Sequence, residues 1–173
     1  SIFIGIDGQF APWVGVIIKE LNQPIILVTP IGRELEAVIR LSRVGYDNCI
    51  GYLEGGIEEW KKQGNSASAI TSITANDFSS KFSSSVLNVL DVRKKSENFS
   101  EHVLNAVNEP LDTIVDEFVN LDKSKKYHIH CAGGYRSVIA LSILLSKGFK
   151  SENFINVLGG FGAIKKESGV AVS

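Results

Sequence analysis

Apolar positions in this chain come in short continuous runs. Ile25-Ile26-Leu27-Val28, Val86-Leu87-Asn88-Val89-Leu90-Asp91 and Tyr127-His128-Ile129-His130 are the clearest. Runs of this length without strict alternation predict strands covered on both faces, as in parallel sheets. The segment 86–91 is expected to be one buried strand and residues 106–108 a shorter one. Between them lie helical stretches. Tyr135 to Lys147 predicts a helix, and so does Asp112 to Phe118, with Asp112 as its N-cap. Thr74 followed by Asp77 and Phe78 predicts a capped helix start. Strands alternating with helices argue for an α/β fold with a parallel sheet.

The pattern occurs twice. Residues 25–64 and 127–169 both read as apolar strand, small-residue turn, Arg, apolar helix, Gly-aromatic, short strand, Gly-rich turn, short helix with Lys-Lys, Gly. Arg33 and Arg136 are 103 positions apart, as are Gly45 and Gly148; Gly55 and Gly159 are 104 apart. One inserted residue explains the drift, and a tandem duplication is expected. The second copy has the strand 86–91 in front of it. The first has only Ser1–Gly5, which resembles Ala106–Pro110, so the first copy is expected to lack an opening strand. The stretch 64–69, small and polar, has a linker's composition. The division expected is 1–64, a linker over 65–72, and 73–173. The start inside an apolar run, with no Met in the chain, is expected of a fragment.

Composition narrows the classes. With 18 Lys+Arg against 19 Asp+Glu and 44% hydrophobic residues, a packed core is expected and disorder is not. The even charge balance gives no support for a nucleic-acid partner. No apolar run is long enough to span a membrane, and no signal peptide is seen. Two cysteines, Cys49 and Cys131, do not make a disulfide scaffold; a reducing, cytoplasmic setting is expected.

The chemistry concentrates in His130-Cys131-Ala132-Gly133-Gly134-Tyr135-Arg136-Ser137. A cysteine between a strand end and a helix N-terminus sits where amide N–H groups converge, an environment that favours a thiolate. Gly133 and Gly134 allow positive φ, so the loop can curl its amides around the sulfur. Arg136 adds a cation and Ser137 a hydroxyl. The reading is an anion cradle with a nucleophile at its base. Cys49, in a short strand, reads as core filler. Tyr135 is expected at the loop surface. His128 and His130 share a strand face, but with no third ligand near in sequence, no metal is expected. No Gly-Lys-Ser follows the glycines, which excludes a phosphate-binding NTPase loop. The pairs Lys61-Lys62 and Lys165-Lys166 read as solvated helix faces.

The segment resembles the active-site loop of the rhodanese family of sulfurtransferases, Cys-x-x-Gly-x-Arg-Ser, with Cys131, Gly134, Arg136 and Ser137 at the matching positions. Leu90-Asp91-Val92-Arg93 resembles that family's Asp-x-Arg. Glu101-His102-Val103-Leu104-Asn105-Ala106-Val107-Asn108 resembles its Gly-His-Ile-Pro-Gly-Ala-Ile-Asn. Leu158-Gly159-Gly160 resembles its late Gly-Gly turn; the Trp that usually follows is Ile164 here and Trp60 in the first copy. The resemblance implies tandem rhodanese-like domains, each a mostly parallel sheet flanked by helices, the first one incomplete. It implies catalysis at Cys131, substrate binding by Ala132, Gly133, Gly134, Tyr135, Arg136 and Ser137, and support of the loop by Asp91, Arg93 and His102. In the first copy Thr29 stands where Cys131 stands, and Pro30-Ile31 replaces Ala-Gly, so the site at Thr29 and Arg33 is expected to be inactive.

The chain is also similar, through Asp7-Gly8 and Phe10-Ala11-Pro12-Trp13-Val14, to the C-terminal part of a fusion. That fusion joins a metallo-β-lactamase-fold persulfide dioxygenase to rhodanese domains. This implies a mononuclear iron in an upstream domain, and no cofactor in this chain. The partners implied are a small sulfur donor, a thiol, sulfite or cyanide acceptor, that upstream domain, and possible self-association, with no nucleic acid or membrane. The reaction implied is transfer of sulfane sulfur from thiosulfate or a low-molecular-weight persulfide through a Cys131 persulfide. Two alternatives stand beside it. One is a non-catalytic interaction module. The other is a cysteine phosphatase, which needs Cys-x5-Arg, where Cys131 to Arg136 is one residue shorter.

Overall fold

The structure, a computed structural model, describes residues 1–116 and 121–173. It divides into two compact units, Ile4–Ser68 and Ala69–Ser173, the latter together with Ser1–Phe3.

The smaller unit runs α1 (Phe10–Ile17), β1 (Ile25–Leu27), α2 (Glu34–Ser42), β2 (Cys49–Tyr52) and α3 (Gly56–Lys62). Strands β1 and β2 pair in parallel. Phe10 and Val14 of α1 bury against Leu41 and Tyr46, with Ile25 and Leu27 of β1 beside them. Ile26, Ile50 and Tyr52 of the same two strands are exposed. The short helix α2 closes with Gly45 in the left-handed region. The Gly45 N–H bonds the Ser42 carbonyl and the Tyr46 N–H the Leu41 carbonyl, which satisfies two C-terminal carbonyls of the helix. Ser1–Gly5 adds no strand to this unit, contrary to the expected likeness to Ala106–Pro110. The Phe3 N–H instead donates to Ser142 Oγ, 2.9 Å away in the larger unit to which Ser1–Phe3 belongs.

The larger unit runs β3 (Thr71–Ile73), α4 (Ala75–Ser84), β4 (Asn88–Asp91), α5 (Lys95–Ser100), β5 (Val107–Asn108), α6 (Leu111–Asp116), β6 (Tyr127–His130), α7 (Tyr135–Ser146), β7 (Phe154–Val157) and α8 (Gly160–Ile164). The sheet order is β3-β7-β6-β4-β5 and every pairing is parallel. Helices flank it. Phe78 of α4, Val89 of β4, Val157 of β7, and Phe161 and Ile164 of α8 form one core cluster. Phe78 is fully buried, so Phe78→Ala would cost about 3–5 kcal/mol. All four residues of β6 are buried, which explains why that run does not alternate.

Several boundaries differ from expectation. The stretch 65–72 contains the start of β3, because Thr71–Ile73 pairs with Ile155–Val157 at the sheet edge. The strand expected over 86–91 begins at Asn88, opposite Tyr127, where its partner begins; Val86 is fully exposed. The helix expected from Asp112 starts at Leu111, directly after Pro110, whose fixed φ suits a helix start. Asp112 therefore lies inside the first turn. Glu117 and Phe118 of that expectation lie outside the described residues. The Thr74 cap is as expected: its hydroxyl accepts the Asp77 N–H at 3.1 Å, and the Asp77 carboxylate accepts the Thr74 N–H at 3.3 Å.

Candidate active site

Cys131 leaves the end of β6, and its residue is 1% exposed. Gly134, left-handed with φ of 100°, is the N-cap of α7. Its N–H donates to Cys131 Sγ at 3.1 Å. Ser137 Oγ lies 3.8 Å from the sulfur and donates to the Gly134 carbonyl at 3.1 Å. The positive end of α7 therefore faces the thiol. Of the two glycines expected to curl the loop, only Gly134 takes positive φ. Ala132 and Gly133 are exposed, and Tyr135 is half-buried.

The carbonyl side of the loop is held from α8. The Phe161 N–H donates to the Cys131 carbonyl at 2.6 Å and the Gly162 N–H to the Ala132 carbonyl at 2.9 Å. Close approach requires glycine at Gly160: a methyl there would overlap the Cys131 carbonyl oxygen and lie 2.8 Å from that of Ala132, and its φ is +56°.

Arg136 is fixed by a carboxylate. Both its terminal nitrogens donate to both oxygens of Glu97, at 2.6 and 2.8 Å. Glu97 Oε2 also accepts the Lys94 N–H at 3.1 Å, which ties the pair to the start of α5. Glu97 is held below the ordinary carboxylate range, chiefly by the Arg136 hydrogen bonds. Arg136 is raised by the same contact, with Cys131 a lesser contributor.

Asp91 and Arg93 form a buried node next to the loop. Arg93 donates to the Asp91 carboxylate through its backbone N–H, Nε and Nη2, the last at 2.6 Å. Arg93 Nη2 also reaches the Glu101 carbonyl at 2.8 Å, and its guanidinium lies 4.0 Å over the Phe161 ring. Asn98 donates to Asp91 Oδ2, and Asn108 to the Asp91 and Arg93 carbonyls. Burial pushes the Asp91 carboxyl up, but its hydrogen bonds and charges prevail and hold it below its ordinary value. The node thus ties β4, β5 and the 101–102 turn to Phe161, whose backbone holds Cys131.

His102 touches the Asn98 carbonyl and Ser173, and Asn98 in turn donates to Asp91 of the buried node. His128 and His130 pack against Phe78 and Phe161. Both are pushed down, first by burial, and for His130 the nearby Asp91 opposes the shift. Among the described residues no group of three His, Cys, Asp or Glu could hold a metal. Lys61, Lys62 and Lys165 pair with Glu58, Glu59 and Glu101, and no helix of the described residues is long and apolar enough to cross a membrane.

In the smaller unit Thr29 follows β1, and Arg33 is the residue before α2. Arg33 is bound by Asp7 at 2.7 and 2.8 Å and by Glu36 at 2.8 and 3.0 Å. Cys49 is half-buried in β2. Sequence reasoning misses Glu97, Asn98 and Gly162, and names Asn108 only as the end of the 101–108 segment. Glu97 becomes recognisable only once α5 places it in the first turn of a short helix.

Residues 74–167 match the family model for the rhodanese-like domain. Among solved structures, the chain is similar to a rhodanese-related protein from Thermoplasma volcanium at 30% identity and a TM-score of 0.51, over 60% of this chain and 97% of that one. It is similar to a rhodanese-like domain protein from Staphylococcus aureus at 32% identity and 0.51, over 59% and 97%. No curated protein matches the chain.

Proposed function

This chain belongs to the rhodanese-like domain family, and from that premise we propose that it is a sulfurtransferase whose Cys131 carries the transferred sulfur. The observation that carries the reading is the cradle: a buried sulfur that accepts the Gly134 N–H at 3.1 Å at a helix N-terminus, beside Ser137 and with its backbone held from α8. The Cys131 thiolate attacks the outer sulfur of thiosulfate or of a low-molecular-weight persulfide. Sulfite or a thiolate leaves, and a Cys131 persulfide remains. A thiol, sulfite or cyanide then takes that sulfur in the second half of a ping-pong cycle. The leaving groups are stable anions, so no general acid is needed. The Gly134 amide and helix N-terminus that favour the thiolate also suit a persulfide anion.

In this reading the segment before the linker is a degenerate copy whose Thr29 hydroxyl takes no part. Its likeness to a persulfide dioxygenase fusion favours a persulfide as donor. The test is intact and peptide mass spectrometry after exposure to thiosulfate or glutathione persulfide. One sulfur atom should appear on Cys131 and be absent in Cys131→Ser. A wild-type protein that stays unmodified with both donors would overturn the proposal in favour of a non-catalytic interaction module.

A further inference from the structure

We infer that Glu97 sets which sulfur donors the Cys131 cradle accepts, by neutralising Arg136. The inference rests on the sulfurtransferase reading of the same loop. Arg136 is the only cationic side chain between Cys131 and Ser137, and at the two positions after the sulfur the loop carries a methyl group and a hydrogen. Both terminal nitrogens of Arg136 are engaged by both Glu97 oxygens. Glu97 is itself pinned by the Lys94 amide, so the pair is held from two elements. The other guanidinium nearby, Arg93, is matched by Asp91. What reaches the sulfur is therefore one amide N–H and the oxygen of a hydroxyl whose proton goes to the Gly134 carbonyl, groups without net charge.

That field distinguishes two kinds of donor. With thiosulfate, the S–S bond breaks as the Cys131 sulfur bonds the outer sulfur: Cys–S⁻ plus ⁻S–SO₃⁻ gives Cys–S–S⁻ plus sulfite dianion. Two negative charges must approach a thiolate, and two leave. With an organic persulfide, Cys–S⁻ plus R–S–SH gives Cys–S–SH plus R–S⁻. The attacked group is neutral and one charge leaves. A site whose only loop cation is cancelled repels the first donor and accepts the second. Glu97 touches neither sulfur nor donor; it acts through Arg136 as a specificity-determining residue.

The experiment measures kcat/KM for thiosulfate and for glutathione persulfide in the same full chain, with added sulfur on Cys131 followed by mass. Glu97→Gln keeps the shape and an acceptor for Arg136 but removes the charge. It should raise the thiosulfate-to-persulfide ratio at least about fivefold, and the gain should fade at high salt. Glu97→Asp keeps the charge and should hold the wild-type ratio even if both rates fall. In an Arg136→Gln background, Glu97→Gln should leave the ratio unchanged. If Glu97 only props the loop, both donors decline together in Glu97→Gln and the ratio stays put, which overturns the inference. So does an equal ratio shift in Glu97→Asp. If wild-type Cys131 gains sulfur from neither donor, the sulfurtransferase reading itself falls. That outcome is separate from one in which sulfur is gained and the ratio stays fixed.

Discussion

Gly56 and Gly160 make the same left-handed turn at the start of a short helix, and each sits against the carbonyl of a residue just after a strand. At Gly56 that residue is Thr29, and a methyl on the glycine would lie 3.1 Å from its oxygen; at Gly160 it is Cys131, and the methyl would overlap. The larger helices of the two units also end alike, with Gly45-Tyr46 and Gly148-Phe149 closing the same pair of backbone hydrogen bonds. What differs is the loop between strand and helix. From Thr29 to Arg33 it is one residue shorter than from Cys131 to Arg136. It also contains Pro30, which has no N–H to offer. The comparison separates scaffold from reagent. A left-handed glycine close to the carbonyl of the loop's first residue occurs in both, whereas the hydrogen bonds from Phe161 and Gly162 to the loop carbonyls and from the Gly134 amide to a sulfur belong to the Cys131 loop.

The largest break in this comparison comes from adding a methyl on both sides. Gly160→Ala forces the α8 turn off the Cys131 and Ala132 carbonyls. It should destabilise the chain by roughly 2–4 kcal/mol. It should also lower sulfur transfer about a hundredfold, since a displacement near 1 Å is enough to spoil alignment. Gly56→Ala meets a looser contact and should cost about 1 kcal/mol with transfer unchanged. Urea unfolding and steady-state kinetics on both variants check this. Equal losses of activity would mean that the grip on Cys131 has no special role.

Much of this scaffold was legible in the chain. The buried runs marked β4 and β6, the Gly-aromatic pairs marked the helix ends, and the Thr74 cap was read from three residues. These are local signals, each a consequence of backbone geometry within a few positions. The two contacts that shape the site were not legible. Glu97 meets Arg136 across 39 positions, and the Phe161 amide meets the Cys131 carbonyl from a helix that sequence identifies only as a Gly-Gly turn. Nothing periodic announces an ion pair between two helices or a backbone contact between two loops. Boundaries failed for a related reason: β4 begins where β6 offers it a partner, and the apolar Val86 before it remains exposed.

A smaller effect separates the equivalent strands. β1 holds no ionisable side chain, whereas β6 buries His128 and His130, both lowered mainly by burial from the ordinary histidine value of 6.5. Buried neutral histidines bind fewer protons in the folded chain than in the unfolded one. Stability is therefore full above about pH 6.5 and declines as pH falls from there toward the depressed folded values. The slope is at most about 1.4 kcal/mol per pH unit for each residue. Asp91, also lowered, contributes its loss only below the ordinary aspartate value of 3.8, so the two windows are distinct. Chemical denaturation from pH 7.5 to 5 should show the decline, and His128→Leu should flatten part of it. A flat profile in the wild type would show that neither imidazole is protonated more readily on unfolding.

The smallest expected effect is none at all, from Thr29→Cys in a Cys131→Ser background. The substitution supplies a thiol at the end of a strand, before a left-handed glycine and a helix. If a thiol in that topology were enough, sulfur should be taken up. The surroundings of Thr29 argue otherwise. Pro30 removes the amide that would follow the sulfur, and Ile31 fills the place of the flexible glycine. The missing residue leaves Arg33 ahead of α2 instead of within its first turn, and there Asp7 and Glu36 together bind it. Its guanidinium faces two carboxylates where Arg136 faces one. A thiol at 29 would therefore lack an amide donor and sit beside two carboxylates against one guanidinium, which disfavours the thiolate itself, and mass spectrometry after glutathione persulfide should find no added sulfur. Uptake at position 29 would show that the cysteine, rather than the amides and charges around it, makes the reagent. The length and composition of the 131–137 loop would then lose their explanatory role.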